Sequence, residues 1–186
     1  APRMDDEDAR LMLAFQRGDR RAFETLFARY TPRVLTFLTR MVRDRARAEE
    51  LTQDVFVRIH NAKDRYEARA RFSTYLFGIA HNLALNELAR AHRKHEQSRS
   101  DLAELGAVDP APGPEEKLDA ERTRVRLERA LALLPERQRA AVLLRSEQGL
   151  NYEEIAGSLD TTVSSVKSLL HRARESLLAS LAEEET

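Results

Sequence analysis

The chain has 186 residues, 31 Lys/Arg against 31 Asp/Glu, and no cysteine. At ~100–200 residues per domain that length gives one large domain or two small ones, and the missing thiols exclude disulfides and thiolate metal sites. No apolar run approaches the ~18–20 residues of a membrane span, and the acidic start APRMDDEDAR is the opposite of a signal peptide, so a soluble cytoplasmic protein is expected. Enrichment in Ala, Leu, Arg and Glu, with six glycines, predicts an all-α fold. The zero net charge hides an uneven distribution. Residues 1–95 carry +6, residues 96–120 carry −5 and residues 121–186 carry −1. Separate surfaces for separate partners are expected from that asymmetry.

In chain order, Arg10 to Phe15 reads as a short amphipathic helix ended by Gly18. Asp19 caps a second helix with Phe23, Leu26, Phe27 and Tyr30 on one face. Thr31-Pro32 restarts the chain, and Val34, Leu35, Phe37, Leu38, Met41 and Val42 form the next apolar face. Asp44 caps a helix in which Leu51, Val55, Phe56 and Ile59 point inward. Asn61 to Arg71 reads as a loop. A long helix follows from about Ser73 to Lys94, with Leu76, Ile79, Ala80, Leu83 and Leu88 as its buried stripe. The periodicity fails between Glu96 and about Asp119, where Pro110-Ala111-Pro112-Gly113-Pro114 predicts a partly extended linker. Helical pattern resumes near Glu115 and runs through Val125, Leu127 and Leu131. Pro135 opens another helix that Gly149 ends. Asn151, with Glu154 three residues on, has capping-box spacing; Asp160 suits a left-handed turn, and Thr162 caps the last helix.

Helix, tight turn and polar long helix are the layout of a helix-turn-helix, whose second helix lies in the major groove of DNA. On that second helix Ser164, Ser165, Lys167, Ser168, His171, Arg172 and Arg174 are polar, while Val166, Leu169, Leu170 and Ala173 can pack. Small hydroxyls permit close approach, and cations suit phosphates and guanine edges. The plain alternative is an ordinary solvated helix face. A second constellation runs through Arg65, Tyr66, Arg69, Arg71, Phe72, Ser73 and Tyr75. Aromatics interleaved with Arg suit single-stranded DNA, because bases stack on rings while guanidinium groups hold the backbone. The competing reading has Tyr66, Phe72 and Tyr75 anchoring the loop to the core. Arg90, Arg93 and Lys94 form a basic helix tip suited to duplex phosphates, or simply to the helix dipole. The glycines form no phosphate loop. Glu49, Glu50, Asp54 and His60 lack the spacing of a di-iron bundle, and His92 with His95 lacks a third ligand. No catalytic site, metal site or cofactor is read from the sequence.

Taken in order, these segments resemble the extracytoplasmic-function (group 4) sigma factors of bacterial RNA polymerase. Gly18-Asp19, Ala22-Phe23, Leu26 and Tyr30 resemble the family's opening pattern. The run Ala48-Glu49-Glu50-Leu51-Thr52-Gln53-Asp54-Val55-Phe56-Val57-Arg58 is similar to its core-binding helix. Phe72-Ser73-Thr74-Tyr75-Leu76 with Ile79-Ala80-His81-Asn82 resembles its promoter-melting segment. Leu134-Pro135-Glu136-Arg137-Gln138-Arg139, Tyr152-Glu153-Glu154-Ile155-Ala156, and Val166-Lys167-Ser168 with Arg172-Ala173-Arg174 resemble its C-terminal domain. The resemblance implies two helical domains on a tether: a σ2 domain over 1–95, a linker over 96–120 and a σ4 domain over 121–186. It also implies that Gln53, Asp54, Val55, Phe56 and Arg58 bind the polymerase β′ clamp, and that the Tyr66–Tyr75 loop and Asn82 capture unpaired −10 bases. The last helix would read the −35 element. An anti-sigma factor is an implied further partner, and no small-molecule substrate is. The alternative function is a stand-alone helix-turn-helix regulator, and a third class is an all-helical adaptor protein.

Overall fold

The computed structural model describes residues 6–97 and 115–183. The proline-rich stretch expected to be a linker lies outside the described residues. Among these residues the chain forms eight α-helices and no strand: α1 (Glu7–Gln16), α2 (Arg20–Val42), α3 (Arg45–Asn61), α4 (Phe72–Gln97), α5 (Glu115–Leu133), α6 (Glu136–Ser146), α7 (Tyr152–Ser158) and α8 (Val163–Glu183). One 3-10 turn, Lys63–Arg65, precedes the irregular segment that leads into α4.

Aspartates start the first three helices. Asp6, Asp19 and Asp44 accept hydrogen bonds from the backbone N–H groups of Asp8, Arg21 and Arg47 at 3.1, 3.0 and 3.0 Å. Each cap satisfies an otherwise orphaned donor and contributes about 1 kcal/mol. The break expected at Thr31-Pro32 is absent, and α2 runs unbroken through Pro32. Its apolar face is continuous from Leu26 through Tyr30 and Val34 to Phe37 and Met41, all buried. Packing of that face outweighs the one backbone hydrogen bond that proline cannot donate. Against it pack Leu51, Val55 and Ile59 of α3 and Leu76, Phe77 and Ala80 of α4. Phe27, expected on the inward face, is instead 44% exposed.

The C-terminal unit closes around Leu143, Leu144, Ile155, Leu159, Val166 and Ala173. Its punctuation matches the sequence reading. Gly149 (φ 69°) and Asp160 (φ 49°) adopt left-handed conformations. Asn151 Oδ1 accepts from the Glu154 N–H at 2.9 Å, and Glu154 Oε2 accepts from the Asn151 N–H at 2.7 Å, a complete capping box. Thr162 Oγ1 accepts from the Ser165 N–H at 3.1 Å.

The two units pack directly on one another. Helix α7 crosses α4 so closely that a Cβ on Gly157 would lie 2.7 Å from Thr74 Cγ2, and one on Gly78 would lie 3.5 Å from the Ser158 carbonyl oxygen. Both glycines cost their helices about 1 kcal/mol relative to alanine, and the close crossing is what they permit. Ser158 Oγ donates to the Thr74 carbonyl at 3.1 Å across the same contact. Arg33 donates to the Gln148 side chain and backbone at 3.0 and 3.1 Å, and Arg40 pairs with Glu128 and Glu147. Arg139, 7% exposed, donates to the carbonyls of Leu131, Ala132 and Leu134 and, across the junction, to Met41 at 2.7 Å. One guanidinium therefore joins the carbonyl-rich C-terminal ends of α5 and α2.

Candidate nucleic-acid interface

Helix α8 divides its side chains as a reading helix requires. Val166 and Ala173 are fully buried, and Leu169 and Leu170 are half-buried against the core, which fixes the helix from behind. Ser164, Lys167, Ser168, His171, Arg172 and Arg174 are exposed, and Ser165 is half-buried beside its cap. His171 lies 3.5 Å from Glu175 one turn on. The face is thus polar, continuous and open to solvent, with its hydroxyls near the helix N-terminus and its cations beyond.

The loop before α4 separates its two residue types. Arg65, Arg69 and Arg71 are exposed. Arg69 pairs with Glu67, and Arg71 Nε lies 3.2 Å from Glu154 of α7. The aromatics do not line up beside them as a shared platform. Phe72 is fully buried and meets Tyr30 edge-on at 5.3 Å. Tyr66 is 6% exposed, its ring 5.1 Å from Tyr75 and 6.4 Å from Phe72. Burial, with the nearby Asp6 carboxylate, pushes the Tyr66 phenol up to about 12. Phe72 and Tyr66 are therefore corrected from candidate base platforms to supports beneath the loop, because apolar area this well enclosed stays with the core. Tyr75 is half-buried and keeps part of its ring at the surface. Ser73 is half-buried in the first turn of α4, while Asn82 and, further along, Arg90, Arg93 and Lys94 are exposed. Tyr75, Asn82 and Arg93 are spaced at seven and eleven residues, which places them on one face of α4 over about 27 Å.

On α3, Gln53, Asp54 and Arg58 are exposed, whereas Val55 and Phe56 are buried. Both point inward, as the apolar stripe of the sequence predicts, so the surface that this part of α3 offers is made by its polar residues. Sequence reasoning passed over Val57, which is 55% exposed. It shares its helix face with Gln53 and Asp54, and its signal was an apolar β-branched residue out of phase with the Leu51, Val55, Ile59 stripe. Phe27 lies on the neighbouring α2 with its ring 4.8 Å from Phe56. Among the described residues no group of three acidic, histidine or cysteine side chains could hold a metal, and no helix is long and apolar enough to cross a membrane.

Residues 26–94 match the family described as Sigma-70 region 2, and residues 124–177 match Sigma-70, region 4. Over 178 residues the chain is 32% identical to the RNA polymerase sigma-H factor of Pseudomonas aeruginosa, covering 92% of each. Over 176 residues it is 34% identical to the ECF RNA polymerase sigma-E factor of Escherichia coli, covering 91% of this chain and 92% of that one. The chain belongs to the extracytoplasmic-function sigma factors. Solved structures carry the fold likeness further. This sigma factor matches the sigma factor RpoE of Bartonella quintana, solved with the anti-sigma factor NepR, at a TM-score of 0.69 and 24% identity, over 86% of this chain and 96% of that one. It matches CnrH, solved with the cytosolic domain of CnrY, at 0.71 and 23%, over 97% of this chain and 100% of that one. Region 2 falls on the aromatic core with its arginine loop, and region 4 on the helix-turn-helix.

Proposed function

We propose that this sigma factor binds core RNA polymerase through α3, reads a −35 element with α8 and captures an unwound −10 element at the head of α4. The observation that carries this reading is the presence, in one chain, of an outward polar face on a capped helix-turn-helix and a separate arginine loop seated on packed aromatics. On this reading residues 1–95 bind polymerase and the −10 element, 96–120 tether, and 121–186 read the −35 element. Ser164, Ser165 and Ser168 permit close approach to the groove, and Lys167, His171, Arg172 and Arg174 contact phosphates and guanine edges. Arg65, Arg69 and Arg71 hold the single-strand backbone, and Tyr75 supplies a stacking face worth ~1–3 kcal/mol per base. Asn82 hydrogen-bonds a base edge, and Arg90, Arg93 and Lys94 neutralise duplex phosphates.

Gln53, Asp54 and Arg58 surround the exposed Val57 on the outward face of α3, an arrangement that fits a polymerase contact with a small apolar centre. The same apolar centre is what an anti-sigma factor would cover in the inactive state. The protein performs no covalent chemistry of its own and works in the cytoplasm, where promoter DNA is. Run-off transcription with purified core polymerase on a promoter library tests the reading. A transcript above that of core alone is expected, starting downstream of shared −35 and −10 sequences, and its absence overturns the proposal.

A further inference from the structure

The arginine loop is held from beneath by α1, a helix that none of the family segments in the sequence assigned to DNA. Gln16, the last residue of α1, donates from Nε2 to the carbonyl of Lys63 at 2.8 Å and to that of Tyr66 at 3.1 Å. Both partners are carbonyl oxygens, so only the nitrogen end of the amide can face them, and its two hydrogens are both used. At the other end of α1, Asp6 serves two helices. Oδ1 accepts from the Asp8 N–H and caps α1, while Oδ2 accepts from the N–H of Phe72, the first residue of α4, at 2.7 Å. One carboxylate thus sits at two helix N-termini, where negative charge is favoured.

Between these two fixings, Gln16 on Lys63 and Tyr66 and Asp6 on Phe72, the chain turns through Glu67 to Arg71. Its own backbone supplies little there. The Arg69 N–H reaches the Glu67 carbonyl at 2.8 Å, two residues back, the Arg69 side chain pairs with Glu67, and Arg71 reaches out of the loop to Glu154 of α7. A loop with so few internal bonds would sample many conformations unless something outside it fixed its ends. Ordering each residue costs about 1–2 kcal/mol in backbone entropy, and a loop fixed beforehand spares the nucleic acid that cost on binding.

We propose that Gln16 and Asp6 are positioning residues for strand capture: α1 pre-sets the loop so that Arg65, Arg69 and Tyr75 meet the unpaired −10 strand in one geometry. The inference rests on the assignment of this loop to the −10 strand. Neither residue touches DNA. Each acts through backbone groups of the loop, as supporting shells do for binding sites.

The test uses the holoenzyme assembled from the full chain and core polymerase, with a labelled single-stranded −10 oligonucleotide as probe. Gln16→Met keeps the side-chain volume and removes both donors without placing a charge under the loop. Its oligonucleotide affinity is expected to fall about tenfold, as loss of one to two net hydrogen bonds implies. Affinity for core polymerase and for duplex −35 DNA should stay at the parent value. Asp6→Ala should act in the same direction, which keeps the test decisive if either variant folds poorly. An Arg65→Ala/Arg69→Ala double variant is run beside them. If the double variant weakens oligonucleotide binding and Gln16→Met and Asp6→Ala do not, positioning by α1 is overturned and the loop assignment stands. If the double variant has no effect, the loop assignment itself fails and this inference with it. If Gln16→Met weakens core and oligonucleotide binding equally, the role is structural only and the proposal is overturned.

Discussion

His81 lies on α4, 2% exposed, and neither of its ring nitrogens has a hydrogen-bond partner. Burial, aided by the Arg137 guanidinium, pushes its pKa down to about 4, so the ring is neutral and packs as an apolar group. In the unfolded chain it takes up a proton near pH 6.5, and in the folded chain only near 4. The unfolded state therefore binds more protons between those values, and stability is full above pH 6.5 and lost as pH falls toward 4. The loss reaches about 3 kcal/mol at one pKa unit per 1.36 kcal/mol. Urea unfolding from pH 7 to pH 4.5 should give a steeper fall for the parent than for His81→Leu; equal slopes would remove this account. Arg139 offers a second residue-level test. Removing it takes a donor from four carbonyls, of which that of Leu131 keeps the Leu134 N–H at 3.2 Å, so Arg139→Met should cost about 3 kcal/mol in urea unfolding. Arg139→Lys should recover little, because one ammonium cannot span the four oxygens that the planar fork reaches.

At the level of elements, α8 and the loop before α4 should fail independently. Charge reversal of Arg172 and Arg174 to Glu should weaken −35 duplex binding by at least about tenfold and leave −10 single-strand binding nearly intact; equal loss in both would count against two reading sites. On α3, Val57→Asp places a charge on the outward face of the helix while Leu51, Val55 and Ile59 keep it packed. Competition binding to core polymerase should fall about tenfold or more with the unfolding midpoint nearly unchanged. A shift in the midpoint without a loss of core affinity would return Val57 to a packing role. These elements differ in how far they could be read from the chain. Caps and turns were legible because Asp19, Asp44, Asn151 with Glu154, Asp160 and Thr162 act on backbone groups within a few residues. The orientation of the aromatics was not, since Tyr66 and Phe72 owe their burial to Tyr30 and Tyr75, and Tyr30 lies far away in sequence. Pro32 misled for the same reason: a local rule met a long apolar face that packing kept straight. Gln16 and Asp6 escaped because a polar residue at a helix end has no periodic signature, and their loop partners lie about 50 and 66 residues away.

The molecule as a whole packs the loop before α4 against α7, the helix that precedes the proposed −35 reader, and promoter geometry sets the two proposed reading sites well apart. Elements centred near −35 and −10 are separated by about 25 base pairs, or roughly 85 Å of duplex at one ~34–36 Å turn per 10–10.5 base pairs. Here Arg71 of the loop meets Glu154 of the helix-turn-helix at 3.2 Å, and α8, at 21 residues, is only about 32 Å long. On the proposed assignment the units therefore have to separate before both elements are read at once. The contact that has to break runs through Thr74, Gly157 and Ser158, and it can be locked. A Cβ at residue 157 would lie 2.7 Å from Thr74 Cγ2, so a Thr74→Cys/Gly157→Cys pair brings its sulfurs together once the crossing gives by a few tenths of an ångström, and with no other cysteine in the chain one intramolecular disulfide is formed. Oxidised, this variant should retain its compact form in small-angle scattering and yield no run-off transcript above core alone. Reduction should restore transcription toward the parent level. A disulfide-locked protein that still initiates at duplex promoters would mean that the packed arrangement is compatible with reading both elements, and that separation of the units is not a step in its action.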